Sequence, residues 1–363
     1  MVGIVIVAGL VWWGIARNHG GSGTIKIGAI LPLSGDYAAY GEASENAALM
    51  AIDDMDMTST VQFIIEDDNG CTPAGGVTAA QKLLNIDNVN AIYGPMCSSE
   101  ALSIRSLTEP RKIPMIIAAA TSKTLTGAGQ YIFRTISSDS VRSYAAADYV
   151  YSKGFRKGAF LFDNNQDALI QEKNDAEEEF TKDGGQIVDE DSFGTNDSDF
   201  RTQLVKVKSS GADVIFVGSF YKPLALIIKQ ARDLGIGEQF VGLDESIDVQ
   251  QFFDLGGKDV EGVITTAMVI PTSTESMTFD ARYKAKFGID PPVYTAEGYD
   301  AMTLLLKAIN AGGTSGDSIK ANLLKIGNNY PGVSGIITFN TNGDVQKPAI
   351  IKVVKNGEFV AVQ

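Results

Sequence analysis

The sequence predicts an α/β protein with two lobes, each a doubly wound parallel sheet flanked by helices. Strand and helix patterns alternate from Thr24 to Ser122, and the same alternation starts again at Ser138 and runs to Leu243. Alternating units of this size form parallel sheets with helices on both faces. At 363 residues the chain is also longer than one hydrophobic core usually supports. We therefore expect two Rossmann-like lobes.

In the first half, apolar periodicity and capping residues locate the elements. Thr72 followed by Pro73 is typical of a helix start, because a hydroxyl caps the helix and proline fits its first position. In chain order we expect strand 24–31, helix 40–55, strand 61–65, helix 73–84, strand 91–93, a helix opening at 98, and the segment 113–122.

The second half repeats this arrangement and so predicts a second lobe. Its expected elements are helix 138–153, strand 158–162, helix 168–183, strand 185–193, helix 199–209, strand 212–219, helix 223–234 and strand 239–243.

After residue 264 the regular alternation of strand and helix patterns ends. Three helices are expected at 276–287, 296–311 and 318–326. Three short strands are expected to follow at 335–340, 349–354 and 358–362. These strands are too few for a third domain, so we expect them to return to the two sheets already built. Both lobes then become discontinuous, with a hinge of several segments: lobe 1 from 24–139 and 270–345, and lobe 2 from 140–269 and 346–363.

The acidic composition argues against nucleic-acid binding. Lys and Arg total 30 against 44 Asp and Glu, and the formal charge of −14 repels nucleic acid and anionic membranes. Enzyme signatures are also missing: no Gly-x-Gly-x-x-Gly follows a strand and no Gly-x-Ser-x-Gly occurs. The one histidine, His19, lies outside the predicted lobes, so no histidine base or histidine-rich metal site is expected in them. We expect no enzyme activity, cofactor or metal.

The N-terminal residues 1–23 are expected to be a targeting or anchoring segment with a linker. Val2 to Ala16 is apolar throughout but shorter than a comfortable membrane span. It is therefore read either as a signal peptide or as an uncleaved anchor. Residues 18–23, NHGGSG, read as a flexible linker. Both alternatives place the folded body outside the cytoplasm, in the periplasm or at the cell surface.

Two cysteines, Cys71 and Cys97, each follow a predicted strand. The ends of adjacent parallel strands lie close together, so a disulfide between them is sterically reasonable, and it would imply an oxidising compartment. The alternative is a pair of reduced thiols.

The stretch Ala91 to Ala101, AIYGPMCSSEA, predicts a strand that is followed, after a short turn, by a helix N-terminus. The first N–H groups of a helix lack partners and its dipole is positive there, so with the hydroxyl of Ser98 or Ser99 they form a seat for a small anion. Alternatively, the serine only caps its own helix. If the strand before Thr121 pairs with the strand before Ser98, Ser98 and Thr121 could hydrogen-bond the two oxygens of one carboxylate. Otherwise, Thr121 hydrogen-bonds the backbone of its own turn.

The strands of the second half end in a similar cluster of polar and aromatic residues. Phe220 and Tyr221 follow one strand, and Asp244 follows another. A carboxylate at this edge, facing the Ser98 side across a cleft, could pair with an ammonium group. The alternative for Asp244 is a plain helix cap.

The order and spacing of several short motifs resemble the type I periplasmic substrate-binding proteins of ABC transporters, especially the leucine/isoleucine/valine-binding branch. The resemblance covers residue 26 to about residue 362. The motifs are IGAILPLSG...YG, EDDNGC, YGPMCSS, AAATSKTLT, FRT...SD, DFRTQL, KQARDLGI and GLDE. It implies the same two-lobed fold, a disulfide between the cysteines, and a hinge that closes on a small solute.

The resemblance also implies a set of ligand-binding residues. The carboxylate-binding serine and threonine of the branch fall on Ser98 and Thr121, and the carbonyl that accepts from the ligand ammonium falls on Ala119. The acid that pairs with the ammonium is usually glutamate and is here the shorter Asp244. Tyr40 matches an aromatic residue that lines the side-chain pocket.

Three further positions concern the side-chain pocket on lobe 2. Phe220 takes the place of a tyrosine and is followed by Tyr221, while Asp167 stands where the family often has a tyrosine. A carboxylate at Asp167 would admit a polar or basic ligand side chain, or else it points into solvent.

The sequence thus predicts an extracytoplasmic, monomeric protein that binds a small zwitterion, foremost a branched-chain or other amino acid. It would deliver that solute to a membrane permease of an ABC transporter. The alternatives are a ligand-sensing module, or a binder of amides, urea or other small polar solutes.

Overall fold

A computed structural model describes residues 24–362, apart from residues 195, 245, 246 and 270 and the side chains of Asp36 and Asp167. The N-terminal segment expected to be a signal peptide or anchor, with its linker, lies outside these residues. None of the described helices is long and apolar enough to cross a membrane.

The first sheet forms the centre of lobe 1. Its five strands are β1 (Ile25–Leu31), β2 (Val61–Asp67), β3 (Ala91–Tyr93), β4 (Met115–Ile117) and β5 (Ile132–Arg134). They are all parallel, in the order β2-β1-β3-β4-β5. Strands β3 and β4 are therefore neighbours, which brings the loops that follow them together at the carboxyl edge of the sheet.

The second sheet forms the centre of lobe 2. Its first five strands are β6 (Lys157–Asp163), β7 (Gln186–Phe193), β8 (Val214–Gly218), β9 (Gln239–Gly242) and β10 (Ile264–Met268). A hairpin of β11 (Tyr330–Gly332) and β12 (Gly335–Ile337) comes next along the chain, followed by β13 (Ala349–Lys355) and β14 (Glu358–Ala361). The sheet order is β14-β13-β10-β9-β8-β6-β7, and β13 pairs in the antiparallel sense with both β10 and β14.

The expectation that all late strands return to the two sheets is wrong for the strand expected at 335–340, which is β12 and pairs with the unexpected strand β11. Among the described residues these strands pair only with each other. Their turn is held by a helix instead of a sheet edge, because the N–H groups of Val333 and Ser334 donate to the buried Asp300 carboxylate at 3.0 and 2.8 Å.

Eleven α-helices cover the sheets in the described part of the chain. They are α1 (Ala38–Asp54), α2 (Pro73–Lys82), α3 (Ser98–Thr108), α4 (Ser140–Ser152), α5 (Asp167–Lys182), α6 (Arg201–Ser210), α7 (Tyr221–Asp233), α8 (Gln250–Gly256), α9 (Thr274–Phe287), α10 (Thr295–Gly312) and α11 (Gly316–Ile326). The predicted cap of α2 is confirmed, since the Gly75 N–H donates to the Thr72 hydroxyl at 3.1 Å.

Late helices complete the core of lobe 1. Helix α10 packs against α1 and β4, and its Leu304, Leu305 and Ile309 are buried in one cluster with Ile27 of β1. The close approach needs a glycine, because a Cβ on Gly298 would lie 2.4 Å from the Tyr93 hydroxyl. The chain thus returns to lobe 1 after completing most of lobe 2.

Three segments connect the two cores: residues 135–139, 269–273 and 346–348. Two of them are tied together, since the Lys347 N–H donates to the Ser137 hydroxyl at 2.7 Å. The positions at which the lobes divide stay a prediction, but a hinge of several segments follows from these connections.

Candidate ligand-binding site

The turn from β3 to α3 carries the first functional side chain. Gly94 has a φ of +91°, and a Cβ there would lie 2.5 Å from the Ile30 carbonyl oxygen, so glycine alone fits this turn. The N-cap of α3 is Cys97, and not Ser98 or Ser99 as predicted. The Cys97 N–H donates to the Glu100 carboxylate at 3.3 Å, as in a capping box, which leaves the serine hydroxyls for other partners.

Ser98 lies in the first turn of α3 and reaches the neighbouring loop. Its hydroxyl oxygen accepts from the Ser122 N–H at 3.2 Å, so it bridges the loops after β3 and β4. A hydroxyl that accepts one hydrogen bond still has its own proton to donate. Ser98 can therefore give a hydrogen bond to an anion placed at the positive end of the α3 dipole.

A disulfide between Cys71 and Cys97 holds the β2–α2 turn against the start of α3, with the two Cα atoms 5.7 Å apart. Beneath it, the carboxyl groups of Asp68 and Glu100 are buried side by side. Burial, together with the neighbouring Asp68 charge, raises the pKa of Glu100 to about 8. At neutral pH the Glu100 carboxyl is thus mostly protonated, and its proton can be donated to the neighbouring Asp68 carboxylate.

Thr121, in the loop after β4, contacts the first connecting segment. Its hydroxyl donates to the Asp139 carboxylate at 2.6 Å, and its carbonyl accepts from the Asp139 N–H at 3.1 Å. A carboxylate only accepts, so the one proton of the Thr121 hydroxyl is committed to Asp139. Toward a ligand, this hydroxyl is an acceptor and the Thr121 N–H is a donor.

These groups line one cavity of about 320 Å³ on lobe 1, which we call the seat. The described residues that line it are all uncharged: Pro32, Tyr37, Tyr40, Cys71, Met96, Cys97, Ser98, Ala119, Ala120, Thr121 and Tyr294. Of the predicted site residues, Ser98, Ala119, Thr121 and Tyr40 are therefore brought together.

Sequence reasoning missed Tyr294, which enters the seat from a distant part of the chain. It precedes α10 with a φ of +70°, and its ring lies 6.4 Å from that of Tyr40. Tyr37 was missed as well. Together the three tyrosines give the seat an apolar wall opposite its hydroxyl groups.

The predicted residues of lobe 2 are gathered elsewhere. Asp167, Phe220 and Asp244 follow β6, β8 and β9, three adjacent strands, and so lie at one edge of the second sheet. Phe220, just before Tyr221, is 39% exposed. Among the described side chains, those of Phe220, Tyr221 and Asp244 do not line the seat, and every described residue that lines it belongs to lobe 1.

The cleft continues from the seat toward the connecting segments. A second cavity of about 690 Å³ shares Thr121 and Tyr294 with the seat and extends to Lys347 and to Met268 of β10. Both lobes contribute to its walls. A solute in the seat therefore lies at the mouth of a space that changes shape whenever the lobes move.

The described residues contain two groups of possible metal ligands, and neither indicates a metal site. Cys71, Cys97 and Glu100 lie within 4.8 Å of one another, but the two cysteines form the disulfide. The other group is an acidic cluster on the surface of lobe 2, away from the seat: Asp148, Glu179 and Asp183. The absence of a metal or cofactor stays a prediction.

Comparison with known proteins relates this architecture to one family. The sequence model described as periplasmic binding protein matches residues 24–358. The leucine-, isoleucine-, valine-, threonine- and alanine-binding protein of Pseudomonas aeruginosa is 26% identical over 347 residues, which are 92% of this chain and 90% of that protein.

Two solved structures are similar over most of the chain. A leucine-binding protein from Thermotoga maritima has 29% identity and a TM-score of 0.69, covering 93% of this chain and 98% of that one. A solute-binding protein of an ABC transporter from Rhodopseudomonas palustris, in complex with 3,4-dihydroxybenzoic acid, has 27% identity and a TM-score of 0.66, covering 93% and 96%. The family match spans both lobes and the seat between β3 and β4, and the chain therefore belongs to the periplasmic binding protein family.

Proposed function

We propose that this protein is the extracytoplasmic solute-binding subunit of an ABC transporter and that its ligand is an amino acid, foremost one with a branched aliphatic side chain. The observation that carries the proposal is the seat itself. Hydroxyl, N–H and carbonyl groups of Ser98, Thr121 and Ala119 converge on one cavity with an aromatic wall, and its described lining residues carry no charge. Such a cavity suits a small zwitterion better than a polyphosphate or a macromolecule.

The polar groups divide between the two charges of the ligand. The Ser98 hydroxyl and the first turn of α3 supply donors for the carboxylate, assisted by the Thr121 N–H. Because the Thr121 hydroxyl proton points to Asp139, its oxygen accepts from the ammonium, together with the Ala119 carbonyl. No described residue donates a hydrogen bond to that carbonyl, so it is available to the ligand.

Closure of the lobes adds the remaining contacts. Asp244 would pair with the ammonium, and Phe220 and Tyr221 would cover the side chain opposite Tyr40. A ligand that gains these contacts only in the closed state shifts the population toward that state. The closed form is then what a permease in the membrane would recognise.

An aromatic carboxylate is the second candidate ligand. The rings of Tyr37, Tyr40 and Tyr294 line the seat, and the similar protein from Rhodopseudomonas palustris was solved with a dihydroxybenzoate. Such a ligand would use Ser98 and α3 but would leave Asp244 without an ammonium partner.

A thermal-shift screen followed by calorimetry tests the proposal. The panel contains the common amino acids, benzoate and 3,4-dihydroxybenzoate, short amides and urea. We expect the largest stabilisation from leucine, isoleucine or valine, since ligand bound only to the folded state raises its melting temperature. A response to benzoates alone would favour the second candidate, and a response to none of these solutes would contradict amino-acid binding.

The family is extracytoplasmic, and this agrees with the Cys71–Cys97 disulfide. Its members bind solutes and are not enzymes. We propose further that the chain acts as a monomer beside its permease, secreted or tethered through residues 1–23. A role in sensing the same ligand is the alternative, and a neighbouring permease and ATPase in the genome would favour transport.

A further inference from the structure

Lys123 forms an ion pair that joins the two lobes outside the three connecting segments. Its amine lies 2.7 Å from a carboxylate oxygen of Asp175 and 2.5 Å from one of Glu178, both on α5 of lobe 2. The amine also lies 5.3 Å from the centre of the Tyr144 ring of α4. Lys123 itself belongs to lobe 1 and follows the ligand-binding Thr121 by two residues.

The loop that carries Lys123 is fixed to lobe 1. The Ser122 N–H donates to the Ser98 hydroxyl, and the Ser122 carbonyl accepts from the Arg134 guanidinium at 2.9 Å. Arg134 is fully buried and pairs with Asp344 at 2.6 Å. The backbone at Lys123 therefore has little freedom to follow lobe 2 when that lobe moves.

The partner of Lys123 is fixed just as firmly on the other side. Asp175 is 1% exposed, and its carboxylate also accepts from the Ser140 hydroxyl at 2.6 Å and from Gln171 at 3.0 Å. The ion pair is thus a contact between two rigid bodies, and only the lysine side chain can adapt. A hydrogen bond of this kind weakens steeply once the two atoms move apart.

The pair is present in an arrangement of the lobes in which every described residue that lines the seat belongs to lobe 1, which we call the open arrangement. We infer that Lys123, through Asp175 and Glu178, stabilises the open arrangement and so sets how tightly the seat binds its ligand. Rotation of lobe 2 toward the seat displaces α5 relative to the loop of Lys123 and strains the contact. Closure of the lobes then requires this ion pair to break. The apparent affinity for the ligand is therefore lower than the contacts of the closed state alone would give.

The inference concerns affinity control in the proposed amino-acid-binding function and rests on it. Lys123 is not among the described residues that line the seat, and it is a positioning residue. Its side chain is one-third exposed and Glu178 is 60% exposed, so solvent screens part of the interaction. We expect removal of the pair to tighten ligand binding by about three- to tenfold.

The experiment compares the wild-type protein with Lys123→Met by calorimetry with L-leucine at low salt. Lys112→Met is the matched control, because Lys112 pairs with Asp317 at 2.7 Å entirely within lobe 1. We expect a tighter Kd for Lys123→Met, an unchanged Kd for Lys112→Met, and wild-type behaviour for Lys123→Arg, which keeps the charge. Raising the salt concentration should shrink the difference between wild type and Lys123→Met, since salt screens the pair.

A ligand-free readout separates this inference from the proposed function. Small-angle scattering of the empty protein should give a smaller radius of gyration for Lys123→Met than for wild type, because more molecules are closed. Glu178→Gln removes only the exposed acceptor and should show a smaller shift in the same direction.

An unchanged or weaker Kd for Lys123→Met, or an unchanged radius of the empty protein, would overturn the inference. If L-leucine does not bind the wild-type protein, the proposed ligand is wrong, and the comparison of radii alone then decides whether the pair holds the lobes open.

Discussion

Replacing Thr121 by valine tests which polar groups of the seat bind the ammonium of the ligand and which bind its carboxylate. Valine has the shape of threonine but no hydroxyl, so the change leaves no cavity. The wild-type hydroxyl donates to Asp139 at 2.6 Å and thereby presents only its oxygen lone pairs to a ligand. The ammonium of L-leucine loses this acceptor in Thr121→Val, whereas the Thr121 N–H offered to the carboxylate is unchanged.

The magnitude follows from the charge of the partner. A hydrogen bond to a charged group contributes about 1.5–3 kcal/mol, and about 1.4 kcal/mol corresponds to a tenfold change in Kd. We therefore expect Thr121→Val to bind L-leucine roughly 10- to 100-fold more weakly. Asp139 keeps its ion pair with Arg142 at 3.2 Å, so the melting temperature of the empty protein should change little.

Calorimetry with two ligands makes the result specific. The second ligand, 4-methylpentanoate, is leucine without the ammonium, and Thr121→Val should bind it about as well as the wild type does. Thr121→Ser, which keeps the hydroxyl, is the control and should resemble wild type. The reasoning fails if Thr121→Val binds L-leucine within about twofold of wild type, or if it loses the same factor for both ligands.

Three other changes probe separate parts of the site. Asp244→Ala should weaken L-leucine binding more than tenfold in calorimetry with a nearly unchanged melting temperature of the empty protein, and equal binding would remove Asp244 from the site. Glu100 has a folded pKa of about 8 against 4.5 for the free group, so the native state holds more protons in this window. The free energy of unfolding of the wild type should then fall as pH rises from 5 to 8, by on the order of 1 kcal/mol per pH unit at most. Glu100→Gln can still donate to Asp68 and should flatten this profile in urea titrations; parallel profiles for the two proteins would show that Glu100 does not cause the slope. Thiol titration of the denatured, unreduced protein should find no free sulfhydryl, and reduction of Cys71–Cys97 should lower the melting temperature; two free thiols would contradict an oxidising compartment.

The seat on lobe 1 was largely predictable because its parts lie at the ends of adjacent parallel strands. The apolar run before Gly94 and the one before Thr121 each mark a strand, and β3 and β4 do pair. The strands before Ser98 and Thr121 are neighbours, as the prediction required, and both residues line the seat. The roles of these residues toward a ligand remain proposals.

Residues that reach the seat from afar were not predictable in the same way. Tyr294 comes from a segment nearly 200 residues after Ser98, and no local pattern connects the two. The signal that marks it is the Pro291-Pro292 pair before α10, which predicts a helix start but not its partner. Similarly, the N-cap of α3 was assigned to Ser98 or Ser99 instead of Cys97, because all three residues are plausible at a cap until the Glu100 hydrogen bond is known.

Pairing partners of short strands also escape sequence periodicity. Alternation marks β12 and β13 equally well, yet β12 closes a hairpin held by Asp300 and β13 joins the second sheet. The difference lies in which buried acceptor satisfies the turn, and this depends on the packing of α10 and not on the strand itself.

A crystal structure of the protein with bound L-leucine tests the central claim most directly. The account predicts that the carboxylate lies against the Ser98 hydroxyl and the first turn of α3. It places the ammonium at about 3 Å from the Thr121 hydroxyl oxygen and the Ala119 carbonyl, with Asp244 closing over it. Leucine bound outside the seat, or bound there with its carboxylate toward Ala119 and its ammonium toward α3, would contradict the account.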